Sequence, residues 1–233
     1  MSQLPALTPC IILVLLGLHI IRVAFFSFNL FPPNAEACLT FAWVTGQPLR
    51  ILANAVTHVS ASHVMLNSLA LLNVGQALEN ALGTVNFALL VFLNWCASQS
   101  LFLLVTMLLN DRECVVGFSG VIFGLWVFQA RLFNVAQLQL FPAYFISSSF
   151  VPWVGLVFIQ IALPSVSFVG HLCGALSGLF FTTRWGRVLF PSQPTFLDNI
   201  LLSLSPRFRA YSPIPLPPSS TLESDQGHRL GNV

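Results

Sequence analysis

The chain has 233 residues, of which 56% are hydrophobic and only 7% charged, with a mean hydropathy of +0.83. Soluble domains carry about a quarter charged residues, so the composition excludes one and indicates a polytopic membrane protein. The net charge of +2, carried by arginine with no lysine, is too small for a nucleic-acid footprint, and the five cysteines show neither CxxC nor Cys/His metal spacing.

A spanning helix needs roughly 20 mostly apolar residues. The first candidate runs from Cys10 to about Phe28, interrupted by His19 and Arg22. It is too long for a cleaved signal core and lacks the Arg- and Ser-rich character of a transit peptide, so it reads as a membrane helix. A long connection follows over residues 29–62, with Pro32-Pro33, a Gly46-Gln47-Pro48 turn and a weakly amphipathic stretch from Leu49 to Val59. Further spans are expected at about His63–Leu78, Val85–Leu109, Ser119–Phe133, Phe150–Leu163 and Phe168–Thr183. The second stops at Glu79-Asn80 and Gly83, and Asn110-Asp111-Arg112-Glu113 makes a short charged loop. Residues 134–150 are moderately apolar and leave room for a further partial helix. Cys38 and Cys114 both fall in loops, where a disulfide between them is open; the other cysteines read as apolar filler.

The expected fold is therefore all-α, a polytopic bundle of six transmembrane helices over residues 1–185. Residues 186–233 follow as a Pro-rich, solvated and disordered tail with seven prolines. Six spans put both termini on one side. Arg131, Arg184, Arg187, Arg207 and Arg209 then mark that side as cytosolic by the positive-inside rule, with Arg50 and Arg112 opposite.

With this topology spans two, four and six all descend from the outer face. His63 and Asn67, four apart on one helical face, open span two; Ser119 opens span four; His171 opens span six. All four share a depth. Gly120 and Gly124 on span four, and Gly170, Gly174 and Gly178 on span six, allow close backbone approach in lipid, which would bring Ser119 Oγ towards His171. A lone serine in an apolar helix ordinarily bonds back to its own i−4 carbonyl. Together, however, these residues suit nucleophilic acyl transfer: Ser119 as nucleophile, His171 as base, and the Asn67 amide, the His63 imidazole and the Ser119 backbone N–H as oxyanion donors. No carboxylate lies at this depth, so a dyad is expected. The sequence gives no reason for a metal or an organic cofactor.

Over about residues 10–185 the chain resembles the rhomboid intramembrane serine proteases. Their Gly-x-Ser-Gly falls on Gly117-Phe118-Ser119-Gly120, their span-six His-x-x-Gly-x-x-x-Gly on His171, Gly174 and Gly178, and their span-two pattern on His58, His63 and Asn67. The resemblance implies a serine endopeptidase that cuts single-pass membrane proteins near the lumenal end of their spans. An inactive, client-binding relative is the alternative. Glu79 matches the acidic residue that ends span two, and Arg50 the arginine of a loop motif whose preceding tryptophan is here Leu49. Phe123 stands where many members have a tyrosine stacked on the histidine; Gly170 and Val166 replace an alanine and a glycine.

The six-span form with a Pro-rich tail is similar to the short eukaryotic rhomboids, which implies a Golgi or endoplasmic reticulum membrane. The last residues resemble the SHP box that recruits an AAA segregase. Gly227, Leu230 and Gly231 fit that pattern, while Asp225 and Glu223 replace its first glycine and its aromatic.

Overall fold

A computed structural model describes residues 6–25, 39, 50–110, 114–133, 138–141 and 144–183. In chain order these form α1 (Leu7–Phe25), α2 (Arg50–Val56), α3 (Ala61–Leu82), α4 (Thr84–Leu109), α5 (Ser119–Leu132), a hairpin of β1 (Leu138–Phe141) and β2 (Tyr144–Ile146), a 3₁₀ turn (Ser148–Phe150), α6 (Val151–Ala162) and α7 (Phe168–Phe181). The fold is helical and polytopic. By length and apolarity α1 and α4 can each cross a bilayer unaided, and α2 with α3 makes a third apolar unit, bent by 84°. Helices α5, α6 and α7 are apolar but shorter.

The sequence expectation holds for the helices, with corrections at their ends. Helix α1 begins at Leu7 rather than Cys10, and α3 runs to Leu82, past Glu79. One carboxylate explains both. Glu79 accepts from the backbone N–H groups of Ala6, Leu7 and Thr8 at 3.1, 2.8 and 2.8 Å, and from the Thr8 hydroxyl at 2.8 Å. These are the donors a helix start leaves unpaired, and an anion is favoured there. A fifth bond, from Thr84 Oγ1 at 2.9 Å, ties in the start of α4. So satisfied, Glu79 stays buried inside α3 instead of ending it at the membrane surface. Residues 138–141 and 144–146 form paired antiparallel strands, Leu138 opposite Ile146, and Ser148–Phe150 a 3₁₀ turn, so the described residues of this stretch hold no α-helix.

Helices α5 and α7 meet at two glycine pairs with no side chain between their backbones. A Cβ on Gly174 would stand 2.0 Å from Gly120 O, and one on Gly178 2.0 Å from Gly124 O. The glycine stripes thus bring the two backbones into direct contact, as expected in lipid, where packing replaces the hydrophobic drive between helices. Asn94 of α4 fastens the seam from the side. It is fully buried, donates to Val121 O at 2.8 Å and accepts from the Ser177 hydroxyl. Around it Leu71, Leu78, Phe87, Leu90, Val121 and Leu125 form the core. Leu13, Ile20, Leu69, Phe92, Leu108 and Ile161 turn outward and are exposed, the arrangement expected of a lipid-facing belt.

Candidate active site

The short helices fix the depth of the site. Helix α5 has 14 residues, which cover about 21 Å, well short of the ~30 Å hydrocarbon core. With its far end at one membrane surface, Ser119 at its start lies below the other. A non-helical turn at that depth must have its polar backbone satisfied by protein, and it does. Gly117 N–H donates to Asn54 O at 2.7 Å, and Phe118 N–H to His58 Nε2 at 3.4 Å. Helix α2 and the turn after it therefore cradle the Gly117-Phe118 segment. Asn54 is itself locked to α4 by a reciprocal amide pair with Gln99, at 2.9 and 3.5 Å.

Ser119 is the first residue of α5 and His171 lies in the first turn of α7. Ser167 caps that turn by accepting from Gly170 N at 2.9 Å. The glycine seam closes the gap: His171 Nε2 and Ser119 Oγ are 2.9 Å apart, a hydrogen-bond distance. For Nε2 to accept from the hydroxyl, the ring proton must sit on Nδ1. The Phe123 ring, one turn into α5, lies 4.7 Å from the imidazole at 34° and holds one face of it, as the sequence suggested for this position. Among the described residues Glu79 is the sole carboxylate, and it is committed to the start of α1. The serine–histidine pair therefore stands without a described acidic third member.

Gly117 adopts φ +116°, a backbone conformation open to glycine and strained for other residues. Space demands glycine as well: a Cβ here would meet His63 Cε1 at 2.9 Å, His63 Nε2 at 3.1 Å and Asn67 Nδ2 at 3.6 Å. Both α3 residues thus press against the turn that leads into Ser119. Their positions follow from the start of α3, where Ser60 accepts from His63 N at 3.2 Å and sets the register in which His63 and Asn67 share a face. Asn67 is 6% exposed, and its Nδ2 has no hydrogen-bond partner. A buried donor left open costs stability and is what an incoming oxygen would satisfy. Phe118, preceding α5, has no side-chain cap bond, so the N–H groups of the first turn are open as well.

A cavity lies behind the serine, lined by Ser98, Gln99, Phe102, Val115, Gly117, Gly120, Val121 and Gly170. No cluster of three His, Cys, Asp or Glu side chains suited to a metal occurs among the described residues. Cys114, just before the Gly117-Phe118 turn, is disulfide-bonded, while Cys10 and Cys96 are free thiols. Cys38, weighed from sequence as its partner, lies outside the described residues; its neighbour Leu39 pairs with Val115 through N–H···O at 3.2 Å. Leu49 and the tail with Gly227, Leu230 and Gly231 also lie outside them.

Sequence reasoning did not foresee Asn54, Gln99, Asn94 or Ser177. The available signal was polar residues within apolar runs, costly in a membrane unless paired; their partners were not readable.

Residues 45–187 match the family model described as the Rhomboid domain. Rhomboid-like protein 15 of Arabidopsis thaliana is 30% identical over 160 residues, 64% of this chain and 40% of that protein. Human Rhomboid-related protein 4 is 30% identical over 186 residues, 75% of this chain and 57% of that protein. Rhomboid-type serine protease 2 of Yarrowia lipolytica is 29% identical, covering 64% of this chain and 51% of that protein. The chain thus spans about half the length of these relatives.

Proposed function

Since the chain belongs to the rhomboid family, we propose that it is an intramembrane serine endopeptidase. The observation that carries this reading is the 2.9 Å contact between Ser119 Oγ and His171 Nε2 in the first turns of two short helices. His171 Nε2 takes the serine proton as Oγ attacks a peptide carbonyl. The tetrahedral oxyanion is met by Asn67 Nδ2, His63 and the Ser119 backbone N–H. The imidazolium then gives its proton to the departing amine, leaving an acyl-enzyme. A water, deprotonated by His171, hydrolyses the ester and restores the serine. Gly120 and Gly174 keep the two helix starts together, Gly117 lets the turn lie against His63 and Asn67, and Phe123 steadies the ring.

The substrates we assign are single-pass membrane proteins, cut near the lumenal end of their spans. A peptide bond within a helix is shielded, so segments with small or helix-breaking residues should be cut first. We place the protein in the Golgi or endoplasmic reticulum membrane, multi-pass, with both termini cytosolic. The tail is proposed to recruit an AAA segregase through Gly227, Leu230 and Gly231; pull-down that is lost on Leu230→Ala supports this, and unchanged pull-down dismisses it.

The test is labelling of the detergent-solubilised protein with a fluorescent fluorophosphonate. Labelling of wild type that disappears in both Ser119→Ala and His171→Ala is expected, since each removes a reacting group. A folded wild type that takes no label would replace the enzyme reading with a client-binding pseudoprotease.

A further inference from the structure

The family match begins at residue 45, so α1 stands outside it, yet α1 reaches the site. Arg22, one turn from the end of α1, donates from Nη1 to the backbone oxygen of His58 at 3.2 Å. His58 is 1% exposed, and its Nε2 accepts from Phe118 N–H at 3.4 Å, next to Ser119. Its ring also stands edge-on to His63, with centroids 5.0 Å apart at 76°. One residue thus has its carbonyl held by α1, its ring nitrogen holding the catalytic turn, and its ring edge against an oxyanion-hole candidate.

We propose that Arg22 is a positioning residue, which sets the catalytic turn through His58. The inference rests on the protease reading. A guanidinium in a membrane helix is costly and ordinarily snorkels to the surface. Here it turns inward instead: Nε is buried without a hydrogen-bond partner, and Nη1 is spent on a carbonyl. That orientation makes sense as a clamp on His58. The Phe118 N–H is the last backbone donor before the serine, and its bond to a fixed ring sets where the Ser119 N–H and Oγ point. With the clamp gone, His58 shifts, the Phe118 N–H loses its weak bond, and the serine is no longer held in line with His171. Arg22 touches no reacting atom, so it acts on the chemical step only through His58.

The experiment is a double-mutant cycle on the rate of fluorophosphonate labelling in the full chain, with melting temperature measured in parallel. The probe needs no membrane substrate, so the rate reports the serine itself. Arg22→Leu should slow labelling about fivefold to tenfold, the scale of one hydrogen bond. Arg22→Lys, which keeps a donor for the carbonyl, should stay within about threefold of wild type. His58→Ala should slow it at least as much as Arg22→Leu, and the double variant should be no slower than His58→Ala alone, since both changes break one chain of contacts. Effects that multiply would show that Arg22 acts elsewhere and overturn the proposal, as would an Arg22→Leu rate equal to wild type. If Arg22→Leu does not fold, Arg22→Lys decides: a rate as low as that of His58→Ala overturns it, and a near-wild-type rate supports it. Loss of labelling in the wild type itself would sink the protease reading and is told apart by that control.

Discussion

Helices α6 and α7 are of similar length and apolarity, and both follow Ser119 in sequence, yet they are held in opposite ways. Helix α7 meets α5 backbone to backbone at two glycine pairs and buries Gly170, His171, Cys173, Gly174, Ala175, Ser177, Gly178 and Phe181. Helix α6 buries Pro152 and Leu156 alone and exposes Val154, Val157, Phe158 and Ile161. It comes close to α5 at Gly155, where an added Cβ would stand 2.4 Å from the Trp126 ring. In lipid, apolar surface by itself does not drive helices together; close backbone approach and internal hydrogen bonds do. The difference between the two helices is therefore glycine spacing and one asparagine, not hydrophobicity. The helix that carries His171 is the one fixed to the helix that carries Ser119.

The sharpest way to break this contrast is Gly174→Ala. The new Cβ would stand 2.0 Å from Gly120 O, and backbone cannot rotate away as a side chain can. The helices must separate near the Ser119–His171 pair, and on the proposed chemistry misplacement by about 1 Å costs about a hundredfold in rate. We expect fluorophosphonate labelling to fall by about that factor or more, with a lowered melting temperature. Unchanged labelling would mean that the seam does not set the Ser119–His171 distance.

Asn94→Ala tests the lateral fastening and should have the next largest effect. It leaves Val121 O and the Ser177 hydroxyl without this partner; Ser177 keeps a bond to Gly174 O at 2.8 Å. A buried acceptor left open costs roughly 1–3 kcal/mol, so thermal unfolding in detergent should move down by several degrees. Labelling should fall less than in Gly174→Ala, because the glycine contacts remain. Asn67→Ala should leave stability near wild type, since its Nδ2 has no partner to lose. It should slow labelling by about tenfold to a hundredfold, short of full loss, because one donor of several is removed. A melting-temperature drop without a rate effect would reassign Asn67 to packing.

How much of this was legible follows the same division. The pairing of Ser119 with His171 could be read because the glycine stripes, the span topology and the motif all constrain one distance. The Asn67–His63 face could be read from an i, i+4 spacing. By contrast, Asn54–Gln99, Asn94–Ser177 and Arg22–His58 join residues 45, 83 and 36 positions apart, with no periodicity relating them. The sequence signals that each polar group needs a partner, not which helix brings it. Likewise Glu79 looked like a helix terminator because a lone carboxylate in an apolar run usually marks the surface. Its partners are backbone N–H groups, which carry no sequence signature. The hairpin at residues 138–146 was missed because a short apolar run does not separate strand from buried helix.

The smallest effects should lie on α6, and a pair of variants there sharpens the contrast. Phe158 is 68% exposed; with lipid around it in both variant and wild type, Phe158→Ala should leave melting temperature and labelling within about threefold of wild type. Gly155→Ala differs from Gly174→Ala in one respect. The atom in the way belongs to the Trp126 side chain, whose ring can shift, whereas at Gly174 it is backbone. The indole turns and α6 moves outward, while the Gly120–Gly174 and Gly124–Gly178 contacts that hold α5 to α7 stay in place. Labelling by the small fluorophosphonate should therefore stay near wild type, while cleavage of a membrane-embedded substrate, which has to pass between helices to reach the serine, changes. Equal loss of both activities in Gly155→Ala would show that α6 is as tightly coupled to the catalytic pair as α7, and the contrast between the two helices would fail.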